Sequence, residues 1–82
     1  MTDTEILTRF AQIVQEVTGV DAARVTPDQT FVDDLDIDSL SMVEIATASE
    51  DAFGISIPDS AIGDLRTVGD AVDYLAKAGV AA

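Results

Sequence analysis

The chain has no cysteine, no histidine and no tryptophan, and only four basic residues among 82. Without cysteine it can form no disulfide, no thiolate nucleophile and no Cys-based metal site, which rules out a disulfide-stapled secretory framework. Without histidine as well, no Ser-His or Cys-His pair can be assembled for nucleophilic catalysis. Any thiol used in function would have to arrive on a prosthetic group. Arg9, Arg24, Arg66 and Lys77 are scattered singly against sixteen acidic residues, a net charge of −12. With no basic patch, nucleic acid and anionic membrane surfaces are excluded as partners, and cationic protein surfaces are favoured. No stretch approaches eighteen apolar residues, and no basic segment leads into an apolar run near the start. The expectation is a cytoplasmic protein that does not enter a membrane.

At 8.6 kDa the chain has room for one domain, residues 1–82, near the lower limit for a self-sufficient core. Hydrophobic residues make up 48%, few of them aromatic, so that core must be aliphatic. The surplus of like charge opposes compaction: two carboxylates about 6 Å apart repel by roughly 0.7 kcal/mol even at the dielectric of water. Stability is expected to rise with salt or divalent cations.

Three segments carry helical periodicity. Thr2-Asp3-Thr4-Glu5 is a capping-box pattern, followed by Ile6, Leu7, Phe10, Ile13, Val14 and Val17 on one stripe up to Gly19. Thr67-Val68-Gly69-Asp70 starts a last helix, with Val68, Ala71, Val72 and Leu75 on one face, Lys77 near its end and Gly79 closing it. The tail Val80-Ala81-Ala82 carries no signal. The central segment begins at Asp38-Ser39-Leu40, after Asp33, Asp34 and Asp36, and runs to Phe53. At 100° per residue, Met42, Ile45, Ala46, Ser49 and Phe53 gather on a core face, with Leu40, Glu44, Thr47 and Asp51 opposite and Val43 and Glu50 on the flank. That outer face is acidic with apolar side chains set into it. It reads equally as a docking face or as a solvated one, since single exposed apolar residues are ordinary.

The connecting segments are shorter. Between Gly19 and Asp38 the pattern predicts a short turn at Asp21 to Arg24, a bend at Thr26-Pro27-Asp28, and Val20, Val25, Phe31 and Leu35 pinning the loop down. Gly54 ends the central helix, and Ile55-Ser56-Ile57 is an extended linker with no strand to pair with. Pro58-Asp59 opens a short helical turn containing Ile62 and ended by Gly63. The aspartate-rich loop fails as a calcium loop. With Asp34, Asp36 and Asp38 at positions 1, 3 and 5, position 6 is Ser39 instead of glycine and position 12 is Ile45 instead of glutamate. That excludes a dedicated calcium sensor and leaves only loose divalent binding by crowded carboxylates; no metal site is assigned.

Ser39 has two readings. Asp and Ser at a helix start are preferred N-caps, and a hydroxyl there can be nothing more. A helix N-terminus also favours a bound or attached phosphate, so Ser39 can instead be a modification site. With no base available, modification is favoured over catalysis, and no catalytic residue is assigned.

Asp38-Ser39-Leu40 after an acidic loop, then Met42-Val43-Glu44-Ile45 and later Ile57-Pro58-Asp59, resemble an acyl carrier protein from about Ile6 to Lys77. The run LDIDSLSMVEI is most similar to the freestanding carriers of dissociated (type II) fatty acid synthases, of an actinobacterial kind. The resemblance implies an all-α four-helix bundle of three longer helices and one short one, agreeing with the helix count read from the pattern. It implies 4′-phosphopantetheine on Ser39, with Asp38 and Leu40 flanking it, acyl chains held as thioesters on its thiol, and no catalysis by the carrier. It further implies a partner face of Leu40, Val43, Glu44, Thr47, Glu50 and Asp51, and an acyl cavity near Ile57, Ile62 and Leu65. The implied partners are a phosphopantetheinyl transferase and fatty acid synthase enzymes with basic docking patches, met by a monomer. Thr47 and Ser49 depart from the family's frequent Met and Leu, which bears on partner contacts and cavity lining. Two alternatives stand beside this reading: a carrier for a polyketide or other specialised synthase, and a small acidic adaptor or weak divalent-cation-binding protein in which Ser39 is only a helix cap.

Overall fold

The computed structural model describes residues 2–79, so Val80, Ala81 and Ala82, the tail read as featureless, lie outside the described residues. It is built of four α-helices: α1 (Asp3–Thr18), α2 (Ser39–Phe53), α3 (Asp59–Ile62) and α4 (Val68–Lys77), with a 3-10 turn at Ala22–Arg24. This is the expected all-α bundle of three longer helices and one short one. α1 packs on α2, on α4 and on the 3-10 turn, while α3 packs on α2.

The three longer helices start where their capping chemistry starts. Thr2 and Glu5 close a reciprocal capping box on α1, as do Thr67 and Asp70 on α4, satisfying N–H groups that have no partner inside a helix. Gly19 and Gly54 end α1 and α2 with φ of 81° and 67°, the left-handed conformation that glycine adopts without steric cost. The buried faces are Ile6, Phe10, Ala11, Ile13 and Val14 from α1, Met42, Ile45, Ala46 and Ser49 from α2, and Val68, Ala71, Val72 and Leu75 from α4. Phe53, placed on the core face by periodicity, is only half-buried, since it sits in the last turn of α2 beside Gly54.

The loop from Gly19 to Asp38 is more ordered than its sequence suggests. Val25, Phe31, Leu35 and Ile37 are all buried in the core, and Val20 packs at its margin. Asp36 has φ of 54°, a left-handed conformation that Asp tolerates better than most residues, and the reversal there accompanies burial of both neighbours, Leu35 and Ile37. Asp34 is built into the loop. Its carboxylate accepts the Thr30 N–H at 2.7 Å and the Thr30 hydroxyl at 3.1 Å, while Arg24 donates to its carbonyl at 3.1 Å.

Pairing between segments, which the sequence gives no reason to expect, occurs once among the described residues. Thr30 and Thr67 form an isolated antiparallel bridge, flanked by Phe31 N–H to the Arg66 carbonyl at 3.1 Å and Val68 N–H to the Gln29 carbonyl at 2.9 Å. Beside it, Gly69 donates to the Pro27 carbonyl at 2.9 Å, and a Cβ at Gly69 would stand 3.0 Å from that oxygen. The glycine is there because two backbones meet. This stitch ties the loop before α2 to the start of α4, and so holds the N-terminus of α2 in place.

Candidate prosthetic-group site

The first turn of α2 is capped by Asp38, whose carboxylate accepts the Ser41 N–H at 2.8 Å. The cap therefore belongs to Asp38 and leaves Ser39 free: its hydroxyl is exposed and makes no hydrogen bond among the described residues. This answers the reading in which Ser39 is only a cap. An unengaged oxygen at the positive end of a fifteen-residue helix suits an attached phosphate, since free N–H groups and the helix dipole both favour negative charge there.

The same hydrogen bond lowers the pKa of Asp38. The Ser41 backbone N–H and then the Ser41 side chain hold its carboxyl below the ordinary 3.8. A carboxyl depressed by folding contributes stability that is present above its unfolded pKa and lost as pH falls through the folded value. Acidification below about 4 is therefore expected to release the Ser41 amide and fray the first turn around Ser39. An NMR titration that follows the Asp38 carboxyl carbon and the Ser41 amide together checks this; titration at the ordinary value would show that the cap does not form.

Beside Ser39 opens a groove of about 400 Å³, lined by Val32, Met42, Val43, Ile62, Leu65 and Arg66, among others. Ile62 and Leu65, two of the three residues assigned to an acyl cavity, thus share a groove with Ser39. Ile57, the third, is buried and lines an adjoining interior cavity of about 10 Å³, together with Leu65 and Met42, which border both spaces. The groove fits a linear group with an anionic end and an apolar remainder, since its lining combines Arg66 and the start of α2 with the aliphatic side chains of Val32, Val43, Ile62 and Leu65. Arg66, Val32 and Met42 as groove residues escaped the sequence reading. A lone valine among aspartates was the available signal for Val32, whose exposure is 63%.

The outer face of α2 is arranged as the wheel predicts. Leu40 and Val43 are 67% and 46% exposed, and Glu44, Thr47 and Asp51 are exposed around them. Glu50 differs. It is half-buried, and its carboxylate accepts the Ile57 N–H at 2.6 Å, so it fastens the linker after α2 to the helix. Among the described residues no three acidic side chains converge to hold a metal ion, and no helix is long and apolar enough to cross a membrane.

Comparison with known proteins agrees with this geometry. The family model for the phosphopantetheine attachment site matches residues 8–75. The acyl carrier protein of Thermobifida fusca is 59% identical over 73 residues, covering 89% of this chain and 92% of that protein. That of Acidothermus cellulolyticus is 55% identical over 78 residues, covering 95% and 93%. The meromycolate extension acyl carrier protein of Mycolicibacterium smegmatis is 57% identical over 76 residues, covering 93% and 77%. The chain thus belongs to the acyl carrier proteins, which carry and do not catalyse, and its prosthetic group is 4′-phosphopantetheine.

Proposed function

We propose that Ser39 is the attachment point of the phosphopantetheine arm, and that residues 1–82 act as one monomeric, cytoplasmic carrier domain presenting acyl intermediates to the enzymes of fatty acid biosynthesis. The observation that carries this is the division of labour at the start of α2: Asp38 performs the capping, and the neighbouring Ser39 hydroxyl is left exposed beside the groove. When bound, the group supplies a flexible arm ending in a thiol on which acyl chains are held as thioesters. Asp38 keeps the first turn wound, so that Ser39 Oγ is offered to a transferase at a fixed height above the helix end. Leu40, the next residue along α2, is exposed, and Arg66 lines the same groove as Ser39, where it supplies a counter-charge for a phosphodiester. Names borne by relatives support lipid assembly, one of them meromycolate extension, and set no chain length for this protein. The test is intact-protein mass after incubation with coenzyme A, magnesium and a phosphopantetheinyl transferase. The expected result is a gain of one phosphopantetheine; a folded protein that gains none with several transferases overturns the proposal.

Docking falls to Leu40, Val43, Glu44, Thr47 and Asp51, with Glu50 contributing charge from a carboxylate already engaged with Ile57. An apolar centre with an acidic rim fits enzymes that surround their sites with Lys and Arg, in contacts that form and break quickly. Glu44→Lys reverses one rim charge on an exposed position. It is expected to slow loading of the arm by roughly threefold to tenfold at low salt, with the difference shrinking as salt is added and helix content unchanged. Equal loading rates at low salt would remove this face from the docking model.

A further inference from the structure

Ser49 is the anomaly of the core. It is 0% exposed, it lies among aliphatic side chains, and its hydroxyl has no hydrogen-bond partner. A hydroxyl in a helix can donate to the carbonyl four residues back, as those of exposed Thr8 and Thr47 and of half-buried Thr18 do at 2.9, 3.0 and 2.7 Å. Ser49 does not, and it lines the interior cavity, with Phe10, Met42, Ile57, Leu65 and Leu75 around it. An isolated hydroxyl in such a place is a liability for the empty protein, because an unmade buried hydrogen bond costs more than a made one returns. Water is a poor remedy. The cavity of about 10 Å³ is at the lower limit for one molecule, which needs two to four polar partners. The other side-chain hydroxyl in the wall, that of Tyr74, already donates to the Ser56 carbonyl at 3.4 Å.

The cavity has one evident route for enlargement. Met42 and Leu65 separate it from the groove beside Ser39. The wall on that side is α3 and the residues after it, four helical residues with no side-chain cap and with Ile62 and Leu65 only half-buried. A segment so weakly held opens at low cost. An apolar chain entering between Met42 and Leu65 and running along α2 meets Ser49 seven residues, or roughly 10 Å, beyond Met42. That depth sets the contact in mid-chain, away from the thioester end.

We propose that this cavity holds acyl chains bearing an oxygen in mid-chain, with the Ser49 hydroxyl hydrogen-bonded to that oxygen. The inference rests on the carrier reading at Ser39. Chains with a hydroxyl or carbonyl at the matching carbon are held more firmly than saturated chains of equal length, which leave Ser49 unpaired. Ser49 is thus a specificity-determining residue for the cargo.

The test uses the full chain loaded at Ser39 from coenzyme A thioesters of dodecanoate and of its monohydroxylated isomers, with the hydroxyl moved carbon by carbon along the chain. Wild type, Ser49→Ala and Ser49→Thr are each confirmed by mass and melted. In the wild type and Ser49→Thr, one mid-chain isomer is expected to melt above the saturated form by about 4–8 °C, the size that one net hydrogen bond gives a domain of this length. In Ser49→Ala the saturated chain is expected to be the better cargo, and the unloaded variant to melt above the unloaded wild type. An identical ranking of chains in wild type and Ser49→Ala overturns the inference, as does an unloaded Ser49→Ala that melts lower, since the hydroxyl would then be satisfied in the empty protein. Failure of every chain to load at Ser39 is a different outcome, visible in the mass, and overturns the carrier reading itself.

Discussion

Ser39→Ala is expected to lose all capacity to take up phosphopantetheine while melting within about 1 °C of the wild type. The two halves of this result have separate physical sources. Uptake requires an oxygen nucleophile, and alanine has none, so the loss is complete at any transferase concentration. Stability is spared because the Ser39 side chain makes no hydrogen bond and is exposed, whereas the cap on α2 is the Asp38 carboxylate on the Ser41 N–H. Alanine is also the better residue inside a helix, which offsets the small loss of serine's solvation near the terminus. Intact mass and a thermal melt on the same preparation decide it. Arm uptake by the alanine variant would move the attachment to Ser41 or another hydroxyl. A large fall in melting temperature would return Ser39 to the role of a structural cap. Asp38→Ala is the complementary variant: it retains the hydroxyl and loses the cap, so it is expected to load more slowly and to lose the acid sensitivity of the first turn.

The parts of the molecule that were legible in the sequence are those governed by short-range rules. Asp38-Ser39 marks a helix start because side-chain oxygens satisfy first-turn N–H groups, and Met42, Ile45, Ala46 and Ser49 mark its buried side because helical spacing repeats every three to four residues. What escaped depends on contacts between distant segments. Ile37 is buried because Asp36 turns left-handed, and nothing in the local pattern announces a positive φ at an aspartate. The bridge between Thr30 and Thr67 joins residues far apart in sequence, and Gly69 declares its purpose only once the Pro27 carbonyl is seen against it. Glu50 belonged by spacing to the flank of an acidic docking face; its engagement with the Ile57 N–H depends on the linker turning back along α2. Ser49 was assigned correctly to the core side, yet its unpaired hydroxyl is a property of the packed interior alone. The candidate site is therefore readable at the helix start that carries Ser39 and unreadable in the groove beside it, whose walls come from the loop, α2, α3 and the segment after it together.

Phe31→Ala is expected to cost about 3–5 kcal/mol, the range for removing a large buried aromatic side chain. A chain of this length has only about 4–12 kcal/mol in total, so the variant is expected to be largely unfolded at low salt. The residue merits that estimate for three reasons. Its side chain is 1% exposed. Its ring meets Phe10 of α1 edge to face, centroids 6.0 Å apart and planes at 73°, an arrangement worth about 0.5–1.5 kcal/mol beyond area burial. Its backbone is bonded at both ends, N–H to the Arg66 carbonyl at 3.1 Å and carbonyl from the Ile37 N–H at 2.8 Å, so a ring that loses its seat loosens the stitch between the loop and α4. Sixteen acidic residues make the loss worse, because a loosened chain gains by letting its charges spread apart. Added salt is expected to restore part of the fold by screening them. Urea melts of Phe31→Leu, Phe10→Leu and the double variant separate ring pairing from burial, since the coupling between the two substitutions isolates the edge-to-face contact. A loss below about 1 kcal/mol for Phe31→Ala would mean that the loop before α2 holds its course without this anchor. In that case the position of Ser39 would rest on the backbone hydrogen bonds that join the loop to the start of α4, among them those between Gln29, Phe31, Arg66 and Val68 and that from Gly69 to Pro27.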